Sequence, residues 1–129
     1  MRPKKGFCQN RAEQGCEVVQ GRVMGGTSAI NDLAYIRGSH ADYDEWALEG
    51  NDGWTYGQVL PFFKYSEGNY DKDVTKNSFY HSTQGPLDVG RYLYVDENVD
   101  ILLSALNELG YNYTDINGRN QLGFMRLQA

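Results

Sequence analysis

Apolar positions along this chain fall into three helical stripes and a few short extended runs. The clearest stripe is in residues 97–109. Val99, Leu102, Leu103, Leu106 and Leu109 recur at three- and four-residue spacing, and Gly110 stands where a left-handed residue ends a helix. A second helix is predicted over residues 40–49. Ser39 is placed to cap it, Asp42 completes a capping box, and Tyr43, Trp46 and Ala47 make its apolar face. Gly50-Asn51-Asp52-Gly53 ends it. A third helix is predicted over residues 55–66. Thr55 and Gln58 form another capping box, and Val59, Leu60, Phe62 and Phe63 supply the buried side. Pro61 falls in or just past its first turns, where a missing N–H costs less than in the middle.

Extended runs are shorter. Residues 17–20 read as a strand leading to a glycine turn, and residues 85–89 as a turn into a strand. Residues 92–95 read as a further strand, and residues 123–127 as the start of another. Residues 29–36 carry Ala29, Ile30, Leu33, Ala34 and Ile36, which suit a helical turn and a buried segment equally. Residues 1–16, 69–84 and 111–122 read as polar loops, and no internal repeat is visible.

Composition narrows the class. With 129 residues, 40% hydrophobic and 22% charged, the chain is about one globular domain by length. A net charge of −5 argues against a nucleic-acid partner, which would need a basic face. No apolar run approaches the ~18 residues of a membrane span. Residues 1–10 start basic but have no apolar core of a signal peptide, so the chain is either intracellular or lacks its true start. Cys8 and Cys16 lack metal-ligand spacing; a local disulfide and two free thiols both stay open. Asn112-Tyr113-Thr114 is a glycosylation sequon, which leans toward an extracellular location.

Candidate chemistry centres on residues 21–31. Gly25 and Gly26 let the backbone approach a ligand, and Thr27 and Ser28 are good helix caps. Such a turn points N–H groups at phosphate or at a ring edge carrying carbonyls. His40, at a predicted helix start, is expected to face solvent. His81 lies beside Tyr80 in a loop before Gly-Pro-Leu, and neither histidine is assigned to catalysis. Asp42 and Asp44 lie two apart and so do not pair on a helix; they read as cap and surface charges. Trp46 and Trp54 read as core.

Several stretches together resemble the glucose–methanol–choline (GMC) family of flavoprotein oxidoreductases. GRVMGGTSAINDLAYIRG at 21–38 resembles its first signature, and ADYDEWALEGNDGWTYGQVLPFFKYSEGN at 41–69 the segment after it. YHSTQGPLDV at 80–89 and LGYNYTDINGRNQLGF at 109–124 resemble later pieces, and Cys8 with Cys16 is similar to insect-type members. The resemblance covers roughly residues 7–127. It implies an α/β fold of the FAD/NAD(P)-binding type with an α+β substrate domain, only part of each being present. Residues 1–70 would belong to the FAD-binding domain and residues 71–129 to the start of a substrate-side cap.

The implied activity is FAD-dependent oxidation of an alcohol or sugar by hydride transfer. The implied partners are that small-molecule substrate and the remainder of the parent chain. Carried over by position, Arg22, Val23, Gly25, Gly26, Thr27, Asn31, Asp32, Leu33 and Tyr35 would line the cofactor. Ile30 replaces the histidine that tethers flavin in some members, which implies non-covalent FAD. Asp32 stands where many members have a small neutral residue, and Val19-Gln20 replaces a more usual aromatic-Pro pair. The family's G-x-G-x-x-G unit is missing, and its catalytic histidine would lie beyond Ala129. The chain is therefore expected to be an internal fragment, inactive alone. The alternative is a non-catalytic secreted remnant or binding protein of the same descent.

Overall fold

Ser39 and Thr55 start helices where the local pattern places them. The computed structural model describes residues 18–129, in two units divided between Leu33 and Ala34. In the second unit, α1 is His40–Leu48. The Ser39 N–H donates to Asp42 Oδ2 at 2.9 Å, and the Ala41 N–H donates to Ser39 Oγ at 3.2 Å. Helix α2 is Tyr56–Ser66, with Pro61 inside it. Both the Thr55 N–H and its hydroxyl donate to Gln58 Oε1, at 3.2 and 2.7 Å. Asp44, read as a surface charge, instead accepts from the Tyr56 N–H at 2.8 Å and so joins α1 to the start of α2.

The two helices meet through rings. Tyr43 stands edge-on to Phe63, and Trp46 edge-on to Trp54. Both tryptophans remain 46–47% exposed, so they form a rim and not a core. Phe62 also faces outward, and the buried positions on α2 are Tyr56 and Leu60.

After α2 the chain forms β1, Glu67–Asn69, then α3, Lys72–Thr75, and β2, Leu87–Val89. Strands β1 and β2 are parallel, with Glu67 opposite Leu87 and Asn69 opposite Val89. Gly68 is required there, because a Cβ would overlap the Gly85 carbonyl. The loop expected over 69–84 thus contains a short helix and buried side chains. Helix α4 is Val99–Glu108, followed by Gly110 at φ 91°. None of its residues is fully buried, and Leu102 and Leu109 of its stripe are exposed.

Two expected strands are absent. Residues 92–95 are irregular, and residues 123–127 form only the isolated bridge Tyr113–Phe124; Gln128 bridges to Arg91. The first run carries no bridge and the second meets a single residue, so no ladder can grow. Among the described residues, the buried hydrophobic side chains are Tyr56, Leu60, Val74 and Val89. They are joined by buried Arg37, Glu67, Asn69, Asp71, His81, Asn117 and Gln128.

The first unit is described from residue 18. Residues 18–20 form no strand. Residues 30–33 form no helix, and Ile30 and Leu33 are exposed. In the second unit, residues 34–36 are likewise irregular and Ile36 is exposed. The regular piece is a four-residue 3-10 turn, Gly26–Ala29.

Candidate functional site

The glycine pair makes its turn by backbone conformation. Gly25 has φ 90° and Gly26 φ 61°, both in the left-handed region. Gly25 is the cap of the 3-10 turn, without a side-chain bond, so Thr27 and Ser28 lie inside the turn and do not cap it. Thr27 folds back instead: its Oγ1 accepts from the Gly21 N–H at 3.2 Å. Gly21 is itself sterically fixed, because a Cβ would overlap the Gly26 carbonyl. A Cβ on Gly26, by contrast, would meet nothing within 4 Å.

Around this turn Arg22, Val23, Met24, Thr27, Asn31, Asp32 and Leu33 are exposed, Met24 almost completely at 99%. Asn31 Oδ1 accepts from the Leu33 N–H at 3.2 Å. That side-chain turn holds Leu33 at φ 55°, a left-handed conformation that costs a branched residue roughly 1–2 kcal/mol. Local strain of this kind concentrates at functional loops. The open glycine face and the strained leucine together suit a flat ring laid against backbone, so the residues fit the implied flavin.

Tyr35, the last expected cofactor residue, lies in the second unit. Its phenol oxygen accepts from Arg37 Nε at 3.3 Å. Burial pushes the phenol above its ordinary range, partly offset by Arg37. Arg37 is the start of a buried charge cluster. Its guanidinium donates to Glu67 Oε2 at 2.8 Å and to the Tyr80 carbonyl at 2.6 Å. Glu67 also accepts from the Ser82 N–H and from Asn69 Nδ2.

His81 completes the cluster. Its Nδ1 lies 2.8 Å from Glu67 Oε1 and its Nε2 2.7 Å from Asp115 Oδ2. Both nitrogens face carboxylate oxygens, and a ring that donates to both is the imidazolium. Burial pulls its pKa down, but the bonds to Asp115 and Glu67 outweigh this and hold it above 6.5. For Glu67, burial pushes up, yet His81, Asn69, the Ser82 N–H and Arg37 hold it below 4.5.

The cluster also clamps backbone. Asn117 accepts from the Arg37 N–H at 2.9 Å and donates to the Tyr35 carbonyl at 3.1 Å, and the Tyr35 N–H donates to the Gln128 carbonyl at 2.8 Å. Sequence reasoning missed Arg37, Glu67 and Asn117. Arg37 meets Glu67 30 positions away and Asn117 meets Tyr35 82 positions away, and no local period marks them.

His40 is not solvent-facing as expected. Its ring stacks on Tyr56 at 3.6 Å, and its Nε2 is buried without a partner among the described residues. A surface hollow lined by Asp44, Leu48, Thr55 and Gln58 belongs to the helix caps. Cys8 and Cys16 lie outside the described residues. Among the described residues no cluster of metal-ligating side chains occurs, and no helix is long and apolar enough to cross a membrane.

Residues 4–129 match the profile of a family described as GMC oxidoreductase. Proteins named glucose dehydrogenase (FAD, quinone) from Drosophila pseudoobscura pseudoobscura and Drosophila melanogaster are each 44% identical over 126 residues, which is 98% of this chain and 20% of theirs. The mitochondrial choline dehydrogenase of Mus musculus is 37% identical over 106 residues, 81% of this chain and 17% of its own. The chain thus spans about a fifth of the curated relatives it matches.

Among solved structures, an FAD-dependent oxidoreductase from Chaetomium thermophilum aligns with TM-score 0.63 and 29% identity, over 73% of this chain and 17% of that one. Pyridoxine 4-oxidase from Mesorbium loti aligns with TM-score 0.63 and 24% identity, over 74% and 18%. Over those stretches the chain has the mixed helix–strand fold of these enzymes.

Proposed function

Because the chain belongs to the GMC oxidoreductase family, we propose that its parent protein is an FAD-dependent enzyme oxidising an alcohol or sugar hydroxyl to the carbonyl. The observation that carries this is 44% identity over 126 residues to relatives whose names include FAD and glucose dehydrogenase. Bound FAD supplies the hydride acceptor.

This chain's own part is to hold and orient the cofactor. We assign Arg22, Val23, Gly25, Gly26, Thr27, Asn31, Asp32, Leu33 and Tyr35 to non-covalent FAD. Gly26 leaves room for a ring face. The Asn31 amide N–H groups can donate to ring carbonyls. Taking the hydroxyl proton needs a base with a free lone pair. His81 has both nitrogens against carboxylates and the His40 Nε2 is buried, so neither is assigned that role. The base is assigned to the remainder of the parent chain, and this chain is inactive alone.

We place residues 1–70 in the FAD-binding domain and residues 71–129 at the start of the substrate-side cap. The boundary is one of descent, since β1 pairs with β2 across it. The test is flavin content. Express the 129-residue chain and the full-length parent, then record flavin absorbance after gel filtration. Bound flavin in the parent, with turnover of an alcohol or sugar, supports the reading. A parent that folds without flavin overturns it and leaves a non-catalytic binding protein.

A further inference from the structure

The sequon at residues 112–114 takes no part in the proposed cofactor site, and its geometry favours a modification. Asn112 follows the end of α4, two residues past the left-handed Gly110. It is exposed, and its side-chain amide bonds to no described residue. The local backbone is extended around Tyr113. The Phe124 N–H donates to the Asn112 carbonyl at 3.1 Å, and the Thr114 N–H donates to the Phe124 carbonyl at 2.9 Å. Side chains alternate along such a segment, so Asn112 and Thr114 share one face and Tyr113 takes the other. Tyr113 packs edge-on against Phe124 at 5.9 Å.

We propose that Asn112 carries an N-linked glycan in the parent protein, which therefore passes through a compartment that transfers lipid-linked oligosaccharide. In that step Asn112 Nδ2 attacks C1 of the first N-acetylglucosamine of a polyprenyl-diphosphate-linked donor. The N–C1 bond forms as the C1–O bond to the diphosphate breaks. The polyprenyl diphosphate leaves, and the amide proton goes to a carboxylate of the transferase. No electrons change hands.

Folding sets the order of events. The Thr114 hydroxyl, which the transferase must read, is committed in the folded loop: it donates to the Asn120 carbonyl at 2.9 Å. A Cβ at Gly123 would also press on Thr114 and on the Asn112 carbonyl, so the loop closes tightly against the sequon. Transfer therefore precedes closure of residues 112–124. Closure then leaves the Asn112 side chain in solvent. Leu109 and Tyr111 are exposed beside it, 75% and 54%, and the glycan would shield that apolar end.

The test uses the full-length parent made in secretory cells. The peptide containing Asn112 is analysed by mass spectrometry before and after a peptide N-glycosidase. The expected result is a glycopeptide that the enzyme releases with the sequon asparagine deamidated to aspartate. The accompanying gel-mobility step should vanish in Asn112→Gln and Thr114→Ala and persist in Thr114→Ser, which keeps the hydroxyl. A secreted parent with an unmodified Asn112 peptide overturns the proposal, and so does a parent that never leaves the cytosol. Where a variant fails to accumulate, the wild-type peptide decides alone. Flavin content plays no part in either outcome.

Discussion

Two carboxylates hold one ring at His81, and the consequences can be measured on the parent protein. Removing the ring in His81→Ala takes one ion-pair partner from Glu67, which keeps Arg37, and takes the ring partner from Asp115. Breaking a buried charge pair costs about 3–5 kcal/mol. A fall of about that size in unfolding free energy by urea titration is expected; a change under about 1 kcal/mol would mean that the cluster is solvated. The pH dependence has two flanks. His81 has a raised pKa in the fold, so its contribution is complete below about 6.5 and is lost as pH rises through the folded value. Glu67 has a lowered pKa, so its contribution is present above about 4.5 and is lost as pH falls through the folded value. Thermal stability should therefore peak between these values, and His81→Ala should remove the alkaline flank and also weaken the acid one, since His81 helps to hold the Glu67 pKa down. The cofactor loop is tested at glycines of opposite kind. Gly26→Ala adds a methyl where there is open space and costs only the roughly 1–2 kcal/mol of a left-handed non-glycine residue, so the parent should still fold but release its flavin on gel filtration. Gly21→Ala drives a Cβ into the Gly26 carbonyl and should disturb the turn itself. Equal flavin retention in Gly26→Ala and the wild type would remove the loop from the cofactor site.

The helices carry their start signals within four residues, and this is why they were legible. Ser39 with Asp42 and Thr55 with Gln58 are bonded across a single turn, and both caps form as read. Gly110 ends α4 because one residue's φ decides it. Strands were legible only in part. Residues 87–89 pair because β1 lies beside them, whereas residues 92–95 and 123–127 have the right side chains and no partner ladder. Asp44 shows the same limit in reverse: a residue read as a surface charge becomes the acceptor for the first N–H of the next helix. Two substitutions separate these roles. Ser39→Ala should lower stability by about 1 kcal/mol through α1 alone. Asp44→Ala should cost a similar amount, about 1 kcal/mol, by orphaning the Tyr56 N–H. Because the two caps serve different helices, the double variant should be close to additive. A double variant no worse than either single one would show that α1 and α2 fray as one unit.

For the molecule as a whole, the balance between polar and apolar burial matters most. Four hydrophobic side chains are buried among the described residues, while Leu48, Phe62, Tyr65, Leu93, Leu102 and Leu109 all lie open. Scattered exposed leucines are normal for a monomer, but a helix stripe with no residue fully buried is not. The buried interior is instead dominated by Arg37, Glu67, Asn69, Asp71, His81, Asn117 and Gln128, which fix geometry well and contribute little net stability. Such a chain keeps its local turns and loses cohesion when the apolar faces meet only water. The isolated 129 residues should therefore elute from gel filtration at a volume that shifts with concentration, and should bind a hydrophobic dye that the full-length parent does not. The association should strengthen with added sulfate, which favours burial of apolar surface, and should change little with moderate sodium chloride. An isolated chain that stays monodisperse, ignores the dye and unfolds cooperatively would show that the polar cluster suffices as a core. In that case the open stripe of α4 would have to be accounted for by something other than missing cover.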